Sequence, residues 1–274
     1  MDASHHSVHG LGFPESLRWR QGAVWFSDMF RSRVVRWVPG NQPETVLDAA
    51  TGCPEVPGGL GWLPDSTLLV VDCLERTVVA VKDGEVRIHA RLDTWLSHPA
   101  NDMVVDHKGV AFVGGYGFDP DSDEPSPSRL VRISPDGRAA PWGPELVFPN
   151  GCEMTANGDL VVAETYANRV SRLRPDGTVC QSWIVAGGPD GLTLDASESA
   201  IVACAFAGTV VSAVSGRELW RAPAVTGPGA GPAGCYDVVR LGHGAYAVAT
   251  ASLDEDLAQR VDTGSVRLVI FGEG

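Results

Sequence analysis

Short apolar runs dominate the chain, and they come in pairs. Ala23-Val24-Trp25-Phe26-Ser27-Asp28 is followed by Arg33-Val34-Val35-Arg36-Trp37, and Thr67-Leu68-Leu69-Val70-Val71-Asp72 by Arg76-Thr77-Val78-Val79-Ala80-Val81. The pairing recurs in Gly109–Gly114 with Arg129–Ile133, Asp159–Glu164 with Arg169–Leu173, Ala200–Ala205 with Thr209–Val214, and Ala245–Thr250 with Ser265–Ile270. Each run is rich in Val, Leu, Ile and aromatics and is bounded by Gly, Pro or Asp, the composition of strands. Nowhere does the longer period of an extended amphipathic helix appear. Pro135-Asp136-Gly137 and Pro175-Asp176-Gly177 mark tight turns between strands.

The pairs are evenly spaced. Asp28, Asp72, Gly114, Glu164, Ala205 and Thr250, taken as equivalent points, follow one another at steps of 44, 42, 50, 41 and 45 residues. Six all-β units at that period predict a six-bladed β-propeller: four-stranded antiparallel blades around a central channel, with residues 1–274 forming one domain. Two packed sandwiches would need a linker near the middle, and none is visible. Closing the ring also removes most exposed sheet edges. Trp19, Trp25, Trp37 and Trp62 are expected to fill gaps between the first two blades. The polar stretch Asp119–Ser128 reads as an insertion in blade three, either a solvated acidic loop or a flap over the channel. Thr226–Gly234 reads as a loop joining blades five and six, and His5 and His6 as part of a mobile end.

Composition narrows the partners. The 274 residues carry 34 acidic and 21 basic side chains, a formal charge of −13. Neither nucleic acid nor an anionic membrane is expected, because both need clustered Lys and Arg. A small-molecule substrate is expected instead, with oligomeric state left open. The longest apolar runs, such as Leu68–Asp72, are too short to cross a bilayer. The first ten residues lack the basic and apolar regions of a secretory leader. Six scattered cysteines (Cys53, Cys73, Cys152, Cys180, Cys204 and Cys235) show no metal or disulfide spacing and read as small buried hydrophobes of a reducing cytoplasm.

Candidate chemistry emerges when the units are stacked just ahead of each innermost strand. Glu15 lies four residues before Trp19, Asn101 four before Val105, Asn150 four before Met154 and Asp190 four before Leu194. In blade two the same slot holds Gly58, and in blade six the spacing places it at Cys235. Innermost strands line a propeller's channel, so equivalent positions form a ring at one mouth. Two carboxylates and two amides would converge there. Such an all-oxygen set suits one divalent ion, Ca²⁺, Mg²⁺ or Mn²⁺ better than Zn²⁺, although carboxylates also bind zinc. Taken singly, each Asn-Gly, Asn-Asp or Asp-Gly pair is an ordinary turn; four in register favour the metal.

These residues also carry a resemblance. Glu15, Asn101-Asp102, Phe148-Pro149-Asn150-Gly151 and Asp190-Gly191, each entering a blade, resemble the senescence-marker-protein/gluconolactonase/regucalcin family over essentially the whole chain. The resemblance implies a six-bladed propeller with one catalytic divalent metal at the axis and, in many members, lactone hydrolysis. A related group with a similar Glu/Asn/Asn/Asp set hydrolyses organophosphates. By position, the metal falls to Glu15, Asn150 and Asp190, with Asn101 a further ligand or a substrate contact. Sugar-lactonase members usually carry Arg two residues before the blade-three Asn. Here that residue is Pro99, preceded by His98, which argues against a simple sugar lactone.

The expected reaction is ring opening of a lactone or ester, with Asp190 either base or pure ligand and Asn101 orienting the substrate. No G-x-S-x-G is present, and no cysteine has a motif-level His partner. His98, Tyr116, Phe118 and Tyr236, on strand-entry segments, are the expected substrate contacts. Two alternatives use the same site: another metal-assisted reaction on a specialised metabolite (organophosphate hydrolysis, hydration, elimination or cyclisation), or calcium binding by a non-catalytic scaffold.

Overall fold

The computed structural model describes residues 6–227 and 230–271. The predicted pairs of runs are the second and third strands of six four-stranded antiparallel sheets. Their innermost strands are Pro14–Arg20, Pro57–Trp62, Ala100–Val105, Pro149–Met154, Pro189–Leu194 and Ala233–Gly242. Each touches the next, and the last touches the first, so the ring closes and the sheets form a six-bladed propeller. Among the described residues no helix is long and apolar enough to cross a membrane.

Closure uses a strand that the repeat pattern does not announce. Ser7–Leu11 pairs with Gly264–Ile270 as the outermost strand of blade six. Blade six thus combines the two ends of the chain, and no strand pair within it can slip without opening the ring. His6 is not part of a mobile end: its carbonyl accepts the Leu268 amide at 3.1 Å. His5 lies outside the described residues, as do Pro228 and Gly229 of the loop between blades five and six.

Side-chain alternation along each strand sends one face to each neighbouring blade, so the core is divided among inter-blade layers. Leu69, Val71, Val78, Met103, Val113 and Ile133 fill the layer between blades two and three. Trp25 and Trp62 meet edge to face at 5.3 Å between blades one and two, and Trp37 is buried, as expected. Trp19 departs from expectation: it is 37% exposed, near the end of its strand. All six cysteines are free; four are buried, Cys53 is half-buried and Cys180 is exposed on an outer strand. Burial pushes the Cys204 and Cys235 thiols up to about 12, which leaves them unreactive near neutrality.

One local device aims the inner strands. In blade one, Asp28 ends the second strand, a single 3-10 turn follows, and Arg33 opens the third strand and pairs with Asp28 at 2.7 Å. The other Asp28 oxygen accepts the amides of Gly12 and Phe13 at 2.9 and 3.0 Å, which anchors the segment entering Glu15. Blade four repeats the arrangement: Glu164 pairs with Arg169 at 2.6 Å and accepts the Val147 amide, just ahead of Asn150.

Candidate metal and substrate site

The mouth of the channel opens into a cavity of about 560 Å³. Glu15, Asn101, Asn150 and Asp190 all line it, as do Tyr116 and Tyr236. The four oxygen donors are the second residues of four inner strands, and each lies at a bulge where the pairing register shifts by one residue. A bulge re-aims a side chain out of the pleat, here toward the axis. Two left-handed backbones sit beside them, Ser16 (φ 56°) after Glu15 and Phe148 (φ 54°) ahead of Asn150. Conformations of that kind persist only where the surroundings enforce them.

Blades two and six give no donor, each for a physical reason. A Cβ on Gly58 would stand 2.5 Å from the Asn101 carbonyl and 2.6 Å from the Cys73 sulfur, so the slot has no room for a side chain. In blade six the predicted slot residue, Cys235, is one position early. Cys235 pairs with Thr250 as Pro149 pairs with Glu164, and the bulge follows it, so Tyr236 occupies the slot. The Tyr236 hydroxyl donates to the Ser252 carbonyl at 2.9 Å, which turns the ring into a wall.

The donors are buried and electrostatically unsatisfied. Burial holds the Glu15 and Asp190 carboxyls well above the usual carboxylate range, and repulsion adds to it, chiefly from Asp190 on Glu15 and from Asp237 and Asp102 on Asp190. Asp190 Oδ1 is buried with no hydrogen-bond partner. The Asn101 amide donates to Asn150 Oδ1 at 2.9 Å, and the Asn150 amide donates to Thr165 Oγ1 at 3.1 Å. No Lys, Arg or His lines the cavity, so nothing there neutralises the two carboxylates. Among the described residues no group of three or more His, Cys, Asp and Glu side chains is arranged to hold a metal. A cation here therefore depends on the amide oxygens. The mixed set of two carboxylates and two amides, with one orphaned carboxylate oxygen, has the chemistry of a hard divalent ion.

The floor beneath the donors was not legible from the slot spacing. The residues one step deeper are Ser16, Gly59, Asp102, Gly151, Gly191 and Asp237, and Arg18 closes the channel below them. Its guanidinium pairs with Asp102 at 2.6 Å and with Asp237 at 3.7 Å, and it donates to the carbonyls of Leu17, Leu60 and Met103. Asp102 also accepts from the Ser16 hydroxyl at 3.0 Å, and Asp237 accepts the Leu17 amide. Burial pushes the Asp237 carboxyl up to about 8, against the pull of Arg18. Three glycines in this layer give the carboxylates room. A Cβ on Gly191 would collide with Asp237 Oδ1, so Gly191→Ala is expected to destabilise the fold by about 2 kcal/mol, the usual cost of overpacking, measured by denaturant unfolding.

The walls are aromatic. Tyr116 stacks on Phe148 at 3.7 Å, Tyr166 meets Phe206 at 5.9 Å, and Phe13 contacts Tyr236 at 4.3 Å. Phe30 and Tyr166 come from the 3-10 turns of blades one and four, and Glu255 and Gln259 from a short helix, Glu255–Arg260, between the last two strands of blade six. The strand-like repeat pattern hid that helix. Two expected contacts do not line the cavity. Phe118 is buried behind Tyr116 and Tyr166. His98 points away and bonds Ser97 at 2.9 Å; its neighbour Pro99 faces in, because adjacent residues of an extended segment take opposite sides. The Asp119–Ser128 insertion contributes nothing to the lining.

A six-bladed ring with buried oxygen donors at one mouth defines a class of propeller built around an axial site. Residues 13–222 match the family model described as the SMP-30/gluconolactonase/LRE-like region, and the chain belongs to that family. No curated protein matched the sequence. Among solved structures, a luciferin-regenerating enzyme is similar at 17% identity, over 97% of this chain and 94% of its own, with a TM-score of 0.73. A calcium-binding regucalcin from Agrobacterium tumefaciens is 16% identical over 95% and 91%, with a TM-score of 0.70. A gluconolactonase from Xanthomonas campestris is 18% identical over 96% and 89%, with a TM-score of 0.66. Likeness at these identities speaks for the fold alone.

Proposed function

We propose that the mouth is a divalent-metal-dependent hydrolytic site that opens a lactone or ester. The observation that carries this reading is the orphaned Asp190 Oδ1, buried with Glu15 in a cavity without a basic side chain. Glu15, Asn150 and Asp190 would hold the ion, with Asn101 as fourth ligand or substrate contact; all-oxygen donors favour Ca²⁺, then Mg²⁺ or Mn²⁺, over Zn²⁺. When bound, such an ion supplies Lewis-acid polarisation of the carbonyl and acidifies water.

The remaining chemistry belongs to the chain. Asp190 accepts the proton of the attacking water through its unpartnered oxygen and returns it to the leaving alkoxide. Asn101, tied to Asn150, positions the substrate. Tyr116, Phe148 and Tyr236 exclude bulk water from the reacting carbonyl. Family membership and the gluconolactonase-like folds support a lactonase-type enzyme. Pro99 faces the cavity where sugar lactonases carry Arg, so nothing at that position grips sugar hydroxyls.

Dialysis against a chelator tests the reading on a panel of aryl, alkyl and sugar lactones followed by acid release. Activity is expected to disappear and to return with Ca²⁺ or Mn²⁺, aryl and alkyl lactones being preferred. Turnover that persists after complete metal removal would refute it.

A further inference from the structure

The cavity carries more negative charge than a single divalent metal would balance. Four carboxylates line it (Glu15, Glu55, Asp190 and Glu255) and no cation does. A divalent ion balances Glu15 and Asp190 and leaves the two outer ones. Among the described residues, neither the Glu55 nor the Glu255 carboxylate has a hydrogen-bond or ion-pair partner. Glu255 is solvent-exposed and lines the cavity, and its charge acts on Tyr116, Tyr166, Tyr236 and Asp190. Burial on its inner side and the nearby Asp121 raise its own pKa.

Around these charges stand aromatic faces. Tyr166 lies at 5.9 Å from Phe206, which is 54% exposed and so offers apolar surface to whatever enters. Rings beside an unpaired carboxylate form the surroundings that an organic ammonium prefers, through cation–π attraction and ion pairing together. The same surroundings repel phosphates and sugar acids.

Resting on the hydrolytic reading above, we infer that the substrate is an apolar or aromatic lactone or ester bearing a protonated amine, the ammonium held by Glu255 with Glu55 as a second attractive charge, and the rings by Tyr116, Tyr166 and Phe206. The amine enters no bond-making step; it selects and orients.

Calorimetry on the Ca²⁺-loaded protein tests this with phenethylammonium and its uncharged analogue phenethyl alcohol. The ammonium is expected to bind about tenfold tighter, the preference shrinking with added salt. Glu255→Gln is expected to cut the ammonium-to-alcohol ratio about three- to tenfold and Glu55→Gln less, while thermal unfolding reports that both variants fold. A parallel assay compares kcat/KM for an aryl lactone with and without an aminomethyl group. Equal binding of the two ligands, or a ratio unchanged in Glu255→Gln, overturns the inference even if lactones are hydrolysed. Ammonium selectivity without lactone hydrolysis sustains the ligand class and refutes the hydrolytic reading.

Discussion

Asp190→Asn is expected to abolish turnover and, in the metal-free protein, to raise stability. The two effects have one cause. Asp190 and Glu15 line one cavity that holds no basic side chain, and burial together with neighbouring carboxylates raises the pKa of both. In the folded state these carboxyls hold protons that the unfolded chain has released. Stability of the metal-free protein therefore falls as pH rises from the ordinary carboxylate range, about 4, up through the raised values, and returns on acidification. Asparagine keeps the shape and removes one charge. A gain of about 1 kcal/mol or more follows, which in a chain of this length moves Tm by roughly 2–4 °C. The same change removes a metal ligand and the proton acceptor, so kcat/KM should drop by about a thousandfold. Thermal unfolding with and without Ca²⁺ across pH 5–8 separates the effects: wild type should show a strong Ca²⁺-dependent rise and Asp190→Asn a weak one. A variant that keeps its activity, or is destabilised without metal, contradicts this account. Function maintained at the expense of stability is common at active sites.

Arg18→Met is expected to have the largest effect on stability. The guanidinium closes the channel beneath the donors, pairing with Asp102 and Asp237 and bonding the carbonyls of three inner strands. Methionine fills much of the volume and leaves two buried carboxylates without a counter-charge, a loss of about 3–5 kcal/mol. That corresponds to a fall in Tm of roughly 10 °C. Lysine restores the charge but not the planar fork, so Arg18→Lys should recover only part of the loss. Adding Asp102→Asn and Asp237→Asn to Arg18→Met should return most of the stability, because the uncompensated charges are then gone. Asp102 and Ser16 follow Asn101 and Glu15 in the chain, so the donors shift when the floor loosens and metal affinity falls as well. Melting temperatures and Ca²⁺ titrations of the four proteins check the pattern; Arg18→Met melting like wild type would show that the floor is held by packing alone.

Much of this site was visible in the order of residues. Stacking the units picked out Glu15, Asn101, Asn150 and Asp190, all of which line one cavity, because a bulge recurs at the same point of each blade. Tyr116 and Tyr236, expected as substrate contacts, also line the cavity, but Cys235 was placed in a slot that Tyr236 occupies. The sixth inner strand runs on to Gly242, past the apolar residue from which the spacing was counted, so the count set the slot one residue early. His98 and Phe118 were adjacent to cavity residues in the chain yet face elsewhere. Arg18 and Glu255 were missed, since an arginine in a strand and a glutamate in a short acidic run between strands carry no local signal. Only the carboxylate–turn–arginine spacing of Asp28–Arg33 and Glu164–Arg169 was there to be read and was not.

The order of side chains by itself determined the strands, their sixfold recurrence and the ring of oxygen donors, because strand periodicity and turn chemistry act between near neighbours. Tertiary structure alone decided the closure of blade six by Ser7–Leu11, the register of Tyr236, the pairing of Arg18 with Asp102 and Asp237, and the placing of Glu255 in the cavity lining. Arg18 and Asp237, like Glu15 and Asp190, are far apart in the chain. They meet because burial and closure of the ring bring them together, and burial is also what leaves their charges needing partners.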